Sequence, residues 1–158
     1  MPVTPDEFRD ALGRWASGVT IVTSRSGGRV HGMTVSAFSS VSLDPPLVLV
    51  CADKSSDTCT LIAESGVFAV NILAHGQDAL ARRFAAKADE DRRFEGIAVE
   101  SAVTGAPLLR GLANLDCTLV AAHDAGDHVI YVGRVEALRH GTDGDPLLYY
   151  RGSYRKLS

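Results

Sequence analysis

Between Gly32 and Pro46 the chain sets Thr34, Ser36, Ser39, Ser40 and Ser42 among strand-forming apolar residues, with no charged side chain before Asp44. Hydroxyls without charge suit a surface that hydrogen-bonds a neutral polar ring and leaves room for a flat ligand. The two-residue period of a strand sends Thr34 and Ser36 to one face. The backbone of Val35 and Ala37 then offers N–H and C=O groups along the edge, matching a heteroaromatic rim of alternating donors and acceptors. Ser39 and Ser40 follow, where hydroxyl and backbone donors could receive a phosphate. The same residues would also serve an edge strand ending in Ser/Thr turns.

Three further groups could do chemistry. Asp53, Lys54 and Ser55 precede Ser56-Asp57, and a lysine with hydroxyls at a helix start can hold an anion through free N–H groups and the helix dipole. A plain capping motif would read alike. His128 follows Gly126-Asp127, where an imidazole could hydrogen-bond a carboxamide or phosphate, or simply be solvated. Tyr149 to Arg155 alternates aromatics with arginines around Gly152, giving stacking surfaces beside phosphate donors. An aromatic strand with outward arginines is the plainer reading. His31, His75, His123 and His140 show no partner in the sequence. Cys51, Cys59 and Cys117 form no C-x-x-C pair, and no His/Cys spacing points to zinc, so no metal is expected. Gly-x-Gly-x-x-Gly and Walker-type phosphate loops are both missing.

The elements that must carry these residues are legible in outline. Thr4-Pro5-Asp6-Glu7 is a capping box with proline at the first helical position. Phe8, Ala11, Leu12 and Trp15 then fall at i, i+3, i+4 and i+7, so this helix is expected to bury one stripe and to end at Gly18. Val19–Thr23 and Val30–Val35 read as a hairpin about Ser26-Gly27-Gly28-Arg29. Leu47–Cys51 is an unbroken apolar run, expected to be buried on both faces. Ser55-Ser56-Asp57 caps a short helix through Ala63, stopped by Gly66. Val67–Leu73 is a strand, Gln77–Ala86 a helix with Leu80, Ala81 and Phe84 on one side, and Ala88–Arg93 a charged exposed loop or helix edge. Leu115–Ala122 and Val129–Ala137 form a second hairpin through residues 123–127, and Leu147–Arg151 a last strand.

Many strands, two hairpins and few helices indicate a mainly β (α+β) barrel with peripheral helices. The 158 residues, 46% hydrophobic and 22% charged, suit one soluble domain over 1–158. A net charge of -3 and basic runs no longer than a pair argue against nucleic acid. Asp6 and Glu7 stand where a secretory leader would be basic, and the apolar run 45–52 is too short to span a bilayer. Unpaired thiols and no leader imply the cytoplasm.

Taken jointly, the blocks 16–23, 32–47, 54–56, 68–73, 83–85, 126–128 and 150–154 resemble the short-chain flavin reductase family, whose members adopt the antiparallel FMN-binding split β-barrel. The resemblance spans nearly the whole chain. It implies an NAD(P)H-dependent flavin reductase that passes hydride from NADH or NADPH to FMN or FAD and supplies reduced flavin to a partner oxygenase. Residue by residue, it implies that Thr34, Val35, Ser36 and Ala37 meet the isoalloxazine edge and that Ser39 and Ser40 meet the phosphate region. Asp53, Lys54, Ser55, Arg83 and Phe84 would border the flavin, with Arg82 an equal alternative to Arg83. His128, Tyr150, Arg151 and Gly152 would meet the nicotinamide dinucleotide. It also implies a homodimer, and no obligatory acid–base residue, because hydride passes directly to the flavin. The rivals are a flavin carrier or sensor that does not oxidise NADH, and an FMN oxidase of the pyridoxamine-phosphate type on a similar barrel. Gly126-Asp127-His128 and Tyr150-Arg151-Gly152 favour the reductase, since neither rival needs a nicotinamide platform.

Overall fold

The computed structural model describes all 158 residues. Three helices, α1 (Pro5–Leu12), α2 (Asp57–Ser65) and α3 (Asp78–Ala85), and a 3-10 turn at Glu90–Arg92 accompany twelve strands. The strands are β1 (Ser17–Gly18), β2 (Thr20–Ser26), β3 (Arg29–Val35), β4 (Phe38–Ser42), β5 (Leu47–Asp53), β6 (Val67–Ile72), β7 (Glu100–Ser101), β8 (Pro107–Leu108), β9 (Ala113–Ala125), β10 (His128–His140), β11 (Leu148–Tyr150) and β12 (Ser153–Arg155). All strand pairings are antiparallel. The protein is mainly β, with its helices outside or at the ends of the sheets.

The central sheet has the order β3-β2-β6-β9-β10-β5-β4. Its two edge strands, β3 and β4, are consecutive in the chain and separated only by Ser36 and Ala37. Two residues span well under 10 Å, whereas seven flat strands would hold the edges about 28 Å apart. The sheet must therefore curl until its edges approach. One apolar cluster records this: Met33 and Val35 of β3 pack with Val48 and Val50 of β5, Val70 of β6 and Tyr131 of β10. Cys59 and Ile62 of α2 join the same cluster, so α2 closes one end of it.

A second cluster lies outside the curl. Val19 and Ile21, just before and within β2, meet Ala81 and Phe84 of α3, with Leu73, Leu109 and Leu147. Strand β2 is thus buried on both faces, with Thr20 to Ser24 all inaccessible, as is β6 over Phe68 to Asn71. For Leu47–Cys51 the expectation of two-sided burial is overturned. Strand β5 alternates: Val48, Val50 and Ala52 are buried, while Leu47, Leu49, Cys51 and Asp53 are only half-buried. Its second face lines a cleft instead of a core.

Helix α1 begins as expected, with Glu7 N–H donating to Thr4 Oγ1 at 3.2 Å and Thr4 N–H donating to the Glu7 carboxylate at 2.9 Å. It ends at Leu12 rather than Gly18, and none of its residues is buried. The stripe expected to be buried stands open: Phe8 is 58%, Leu12 51% and Trp15 77% exposed. Other boundaries also shift. The β9–β10 hairpin is longer and tighter, turning at Gly126-Asp127. The tail after Tyr150 folds back as β12, with Arg151 at φ 50° and Gly152 at φ 72°. Two successive positive φ angles are the signature of a two-residue I′ hairpin turn, which explains the glycine. The charged 88–93 segment is not wholly exposed: Arg93 is 5% exposed, donating to Gly32 C=O at 2.8 Å and Ala86 C=O at 2.6 Å.

Packing inside the curl is tight at Gly133, where a Cβ would collide with Phe68 Cζ and lie 3.0 Å from Cys117 Cβ. Neither neighbour has free space, since both are fully buried. Gly133→Ala should cost about 1–3 kcal/mol through overpacking. Urea unfolding checks this, and an unchanged midpoint would mean that Phe68 is not tightly held.

Candidate functional site

The exposed face of β5 floors a cleft of about 590 Å³. Its floor is Leu49 and Cys51. Along one side run Ser36, Ala37, Phe38 and Ser39, where the chain crosses from β3 to β4. Phe8, Leu12 and Trp15 of the α1 region form a second side, and Ser17, Tyr149 and Gly152 a third. Four aromatic rings thus face a space whose only charged lining residue is Arg9. Burial pushes the Cys51 thiol up, so it is present as an uncharged group.

The crossover supplies the polar edge. Ala37 C=O accepts from Cys51 N–H at 3.0 Å and Ser36 C=O accepts from Phe38 N–H at 3.0 Å, while the N–H groups of Ser36 and Ala37 donate to no group of the protein. Both residues are exposed. Two adjacent, unpaired backbone donors beside aromatic walls can hydrogen-bond the rim of a flat polar ring or stabilise negative charge developing on it. Ser39 sits opposite Leu49 in the ladder and shares the cleft; its hydroxyl donates to Ser40 C=O at 2.9 Å. Ser40 pairs with Val48 and lies outside the lining.

Strand pleat carries the cleft face onward. Asp53 follows Cys51 by two residues on the same side, about 7 Å further along, and its ladder partner is His128. Asp53 Oδ1 accepts from Ser55 N–H at 2.8 Å and Ser55 Oγ at 2.7 Å. Those two bonds lower the Asp53 pKa, with nearby His128 and Lys87 adding to the effect. Ser56, not Ser55, caps α2: its hydroxyl accepts from Cys59 N–H at 3.1 Å. The Lys54 ammonium pairs with Asp124 on the β9–β10 hairpin. His128 Nδ1 lies 2.7 Å from the Asp127 carboxylate, and this hydrogen bond lowers the Asp127 pKa. With Nδ1 engaged, Nε2 is the ring nitrogen left for a ligand.

The C-terminal hairpin divides this cleft from a second one of about 700 Å³, lined by Ala16, His75, Asp78, Leu148, Tyr150 and Tyr154 among others. Tyr149 faces the first space and Tyr150 the second, as neighbours on a strand must. Arg151 N–H donates to Gly13 C=O at 2.8 Å, pinning the hairpin tip to the end of α1.

The structure therefore brings Ser36, Ala37, Ser39 and Gly152 to one cleft, with Asp53, Lys54, Ser55 and His128 at the end of its floor strand. The remaining expected contacts, Ser40 among them, do not line this cleft. The Thr34 hydroxyl is committed to Ala81 C=O in α3. Val35 is buried in the main core, and its carbonyl accepts from the Thr20 hydroxyl at 2.6 Å. Phe84 is fully buried, in edge-to-face contact with Phe94 at 5.1 Å, so it offers no surface to a ligand. Arg83 donates to Arg92 and Glu95 carbonyls, while Arg82 lies over the Tyr154 ring at 5.1 Å, beside the second cleft. Tyr150 and Arg151 flank the hairpin rather than line the first cleft. Sequence reasoning missed Phe8, Leu12, Trp15, Ser17 and Cys51 as lining residues, and it singled out Tyr149 only as part of the aromatic tail. Only the first three carried a signal, a helical stripe that was assigned to the core.

A profile of the flavin reductase like domain matches residues 12–158. The chain belongs to the flavin reductase family. It is 49% identical to an NADH-dependent flavin reductase of a Rhodococcus species, over 98% of this chain and 88% of that protein. It is 42% identical to the reductase component of 4-hydroxyphenylacetate 3-monooxygenase of Thermus thermophilus, over 96% of each. Among solved structures, an NADH:FAD oxidoreductase of Streptomyces globisporus in complex with NAD and FAD fragments superposes with a TM-score of 0.90 at 32% identity, covering 100% of this chain and 97% of that one. In this flavin reductase no helix is long and apolar enough to cross a membrane.

The Asp53 turn gives a direct test. A carboxylate whose pKa is lowered on folding contributes stability above its unfolded value, and that contribution is lost as pH falls through the lowered one. The Ser55 amide resonance should therefore titrate with a midpoint below 3.8, the ordinary aspartate value. A midpoint at or above that value would mean that the Ser55 bonds are not kept in solution.

Proposed function

We propose that this chain is an NADH-dependent flavin reductase that reduces FMN or FAD and releases the product to a separate monooxygenase component. The observation that carries this reading is the cleft at the β3–β4 crossover: two unpaired backbone donors, Ser36 and Ala37, beside four aromatic rings and almost no charge. That set fits a flavin ring, which is flat, apolar on its faces and polar along one rim. Bound there, a flavin supplies a hydride-accepting centre and the nicotinamide supplies the hydride.

The residues would divide the work as follows. Phe8, Trp15, Phe38 and Tyr149 offer faces for stacking and exclude water from the ring. The Ser36 and Ala37 amides hold its rim and stabilise the negative charge that reduction brings. Ser39, together with Ser40 or the Asp53-Lys54-Ser55 turn, meets the phosphate end. His128 presents Nε2 to the dinucleotide, while Asp127 fixes the ring tautomer; Gly152 leaves space on that side, with Tyr150 and Arg151 beside it. Holding both rings in contact lowers the barrier by orientation, so no side chain needs to move a proton in the hydride step. Arg82, over Tyr154, is a better candidate than Arg83 for a contact from α3.

We further propose that the curled sheet is the split barrel of the FMN-binding type, that residues 1–158 act as one domain, and that the protein works as a homodimer in the cytoplasm. The two-residue link between opposite sheet edges supports the barrel. The open stripe of Phe8, Leu12 and Trp15 supports a second copy covering the cleft. Three free thiols suit a reducing compartment.

Mixing the purified chain with NADH and each of FMN, FAD and riboflavin tests the activity by loss of nicotinamide absorbance. No oxidation with any flavin would overturn the reading. His128→Ala should raise KM for NADH about tenfold, the value of one hydrogen bond, and leave KM for flavin nearly unchanged. Equal NADH parameters would remove His128 from the site. In sedimentation the protein should run as a dimer and Leu12→Asp should shift it toward monomer; a monomeric parent protein would exclude the homodimer.

A further inference from the structure

His31, Asp57 and Asp91 are distant in the chain and meet at one point away from the cleft. His31 stands on β3, Asp57 opens α2, and Asp91 lies in the 3-10 turn. His31 Nε2 is 3.8 Å from Asp91 Oδ1 and 4.0 Å from Asp57 Oδ2, and one ligand atom from each residue lies within 4.8 Å of the others. The His31 side chain is nine-tenths buried, at 9% exposure. Both carboxylates stand beyond hydrogen-bond reach of its ring, and no other protein group hydrogen-bonds it. A buried imidazole is thus aimed, without a partner, between two acids.

The surroundings are fixed while the three ligand atoms stay free. Asp57 N–H donates to Glu90 Oε1 at 3.1 Å, and the Arg93 guanidinium lies 3.6 Å from Glu90. Arg93 also donates to the carbonyl of Gly32, next to His31. That arginine is used on Glu90, and no Lys or Arg pairs with Asp57 or Asp91. The acids therefore sit together without neutralisation by any basic chain other than His31.

We propose that His31, Asp57 and Asp91 form a site for one divalent cation of the zinc class. Two carboxylates cancel the charge of such an ion when the imidazole is neutral. A nitrogen ligand selects zinc or a neighbouring transition ion over magnesium or calcium, which take oxygen ligands. Four-coordinate zinc with bonds of about 2.0–2.2 Å sets its donors about 3.4 Å apart, so the two His31 distances, now 3.8 and 4.0 Å, must close by about half an ångström, and the two acids, within 4.8 Å of each other, must draw together as well. Asp91, 86% exposed, is free to make it. Water completes the fourth position, and the ion ties β3, the start of α2 and the 3-10 turn together.

The test uses the full chain after treatment with a chelator. Calorimetric titration with Zn2+ should show one equivalent bound, and Co2+ should give the visible absorption of a tetrahedral site. At Zn2+ about a hundredfold above Kd, Tm should rise by roughly 5–10 °C, while Mg2+ at the same concentration should not move it. His31→Ala and Asp91→Asn should each weaken Zn2+ binding at least about tenfold. Because Asp91 is exposed, its variant folds even if loss of the buried His31 does not permit folding. Absence of Zn2+ binding by the parent protein overturns the proposal. Binding that Asp91→Asn leaves unaltered overturns it too, since the ion then sits elsewhere.

Discussion

The link between β3 and β4 is only Ser36 and Ala37, yet these strands occupy opposite edges of a seven-stranded sheet. That constraint makes the sheet curl, and the curl does two things. It encloses the inward faces of the strands around Val22, Val50, Phe68 and Val70, which supplies the apolar burial that stabilises the fold. It also leaves a short stretch of backbone that belongs to neither ladder. Two amides there have no partner in the protein, a cost that a folded chain tolerates at an exposed edge where water or a ligand can accept the hydrogen bonds.

The cleft is assembled on that seam from parts with little stability of their own. Helix α1 has eight residues and buries none of them; alone it would be marginal in water. It is held by its capping box and by the hydrogen bond from Arg151 to Gly13 at the tip of the C-terminal hairpin. The two ends of the chain therefore meet beside β5 and build the aromatic walls between them. A floor that alternates buried and open positions, Val50 against Leu49 and Cys51, makes one strand serve both the core and the site.

Much of this was legible in the residues. Capping chemistry marked the starts of α1 and α2, Gly66 marked the end of α2, and the β-branched runs marked β2, β3, β6, β9 and β10. The hydroxyl-rich crossover and His128 stood out by type and spacing, and the ordered motifs pointed to the flavin reductase family. Failures came where one local pattern has two tertiary uses. A helical stripe such as Phe8, Leu12 and Trp15 looks the same whether it meets a core or lines a cleft. An apolar strand such as Leu47–Cys51 looks the same whether its second face is buried or open. The side chains of Phe84 and Val35, residues that the resemblance set beside the flavin, point into the cores.

Local sequence determined the element types, the cap positions, the uncharged character of the crossover and the family, because each follows from residue type and short-range spacing. Tertiary structure alone decided which faces are shared. It set Arg9, Trp15, Ser36, Cys51 and Tyr149 around one cleft, kept Thr34 and Phe84 out of it, and brought His31, Asp57 and Asp91 together. The physical reason is that curling a sheet through a two-residue link creates contacts between residues tens of positions apart, and such contacts leave no periodicity in the chain.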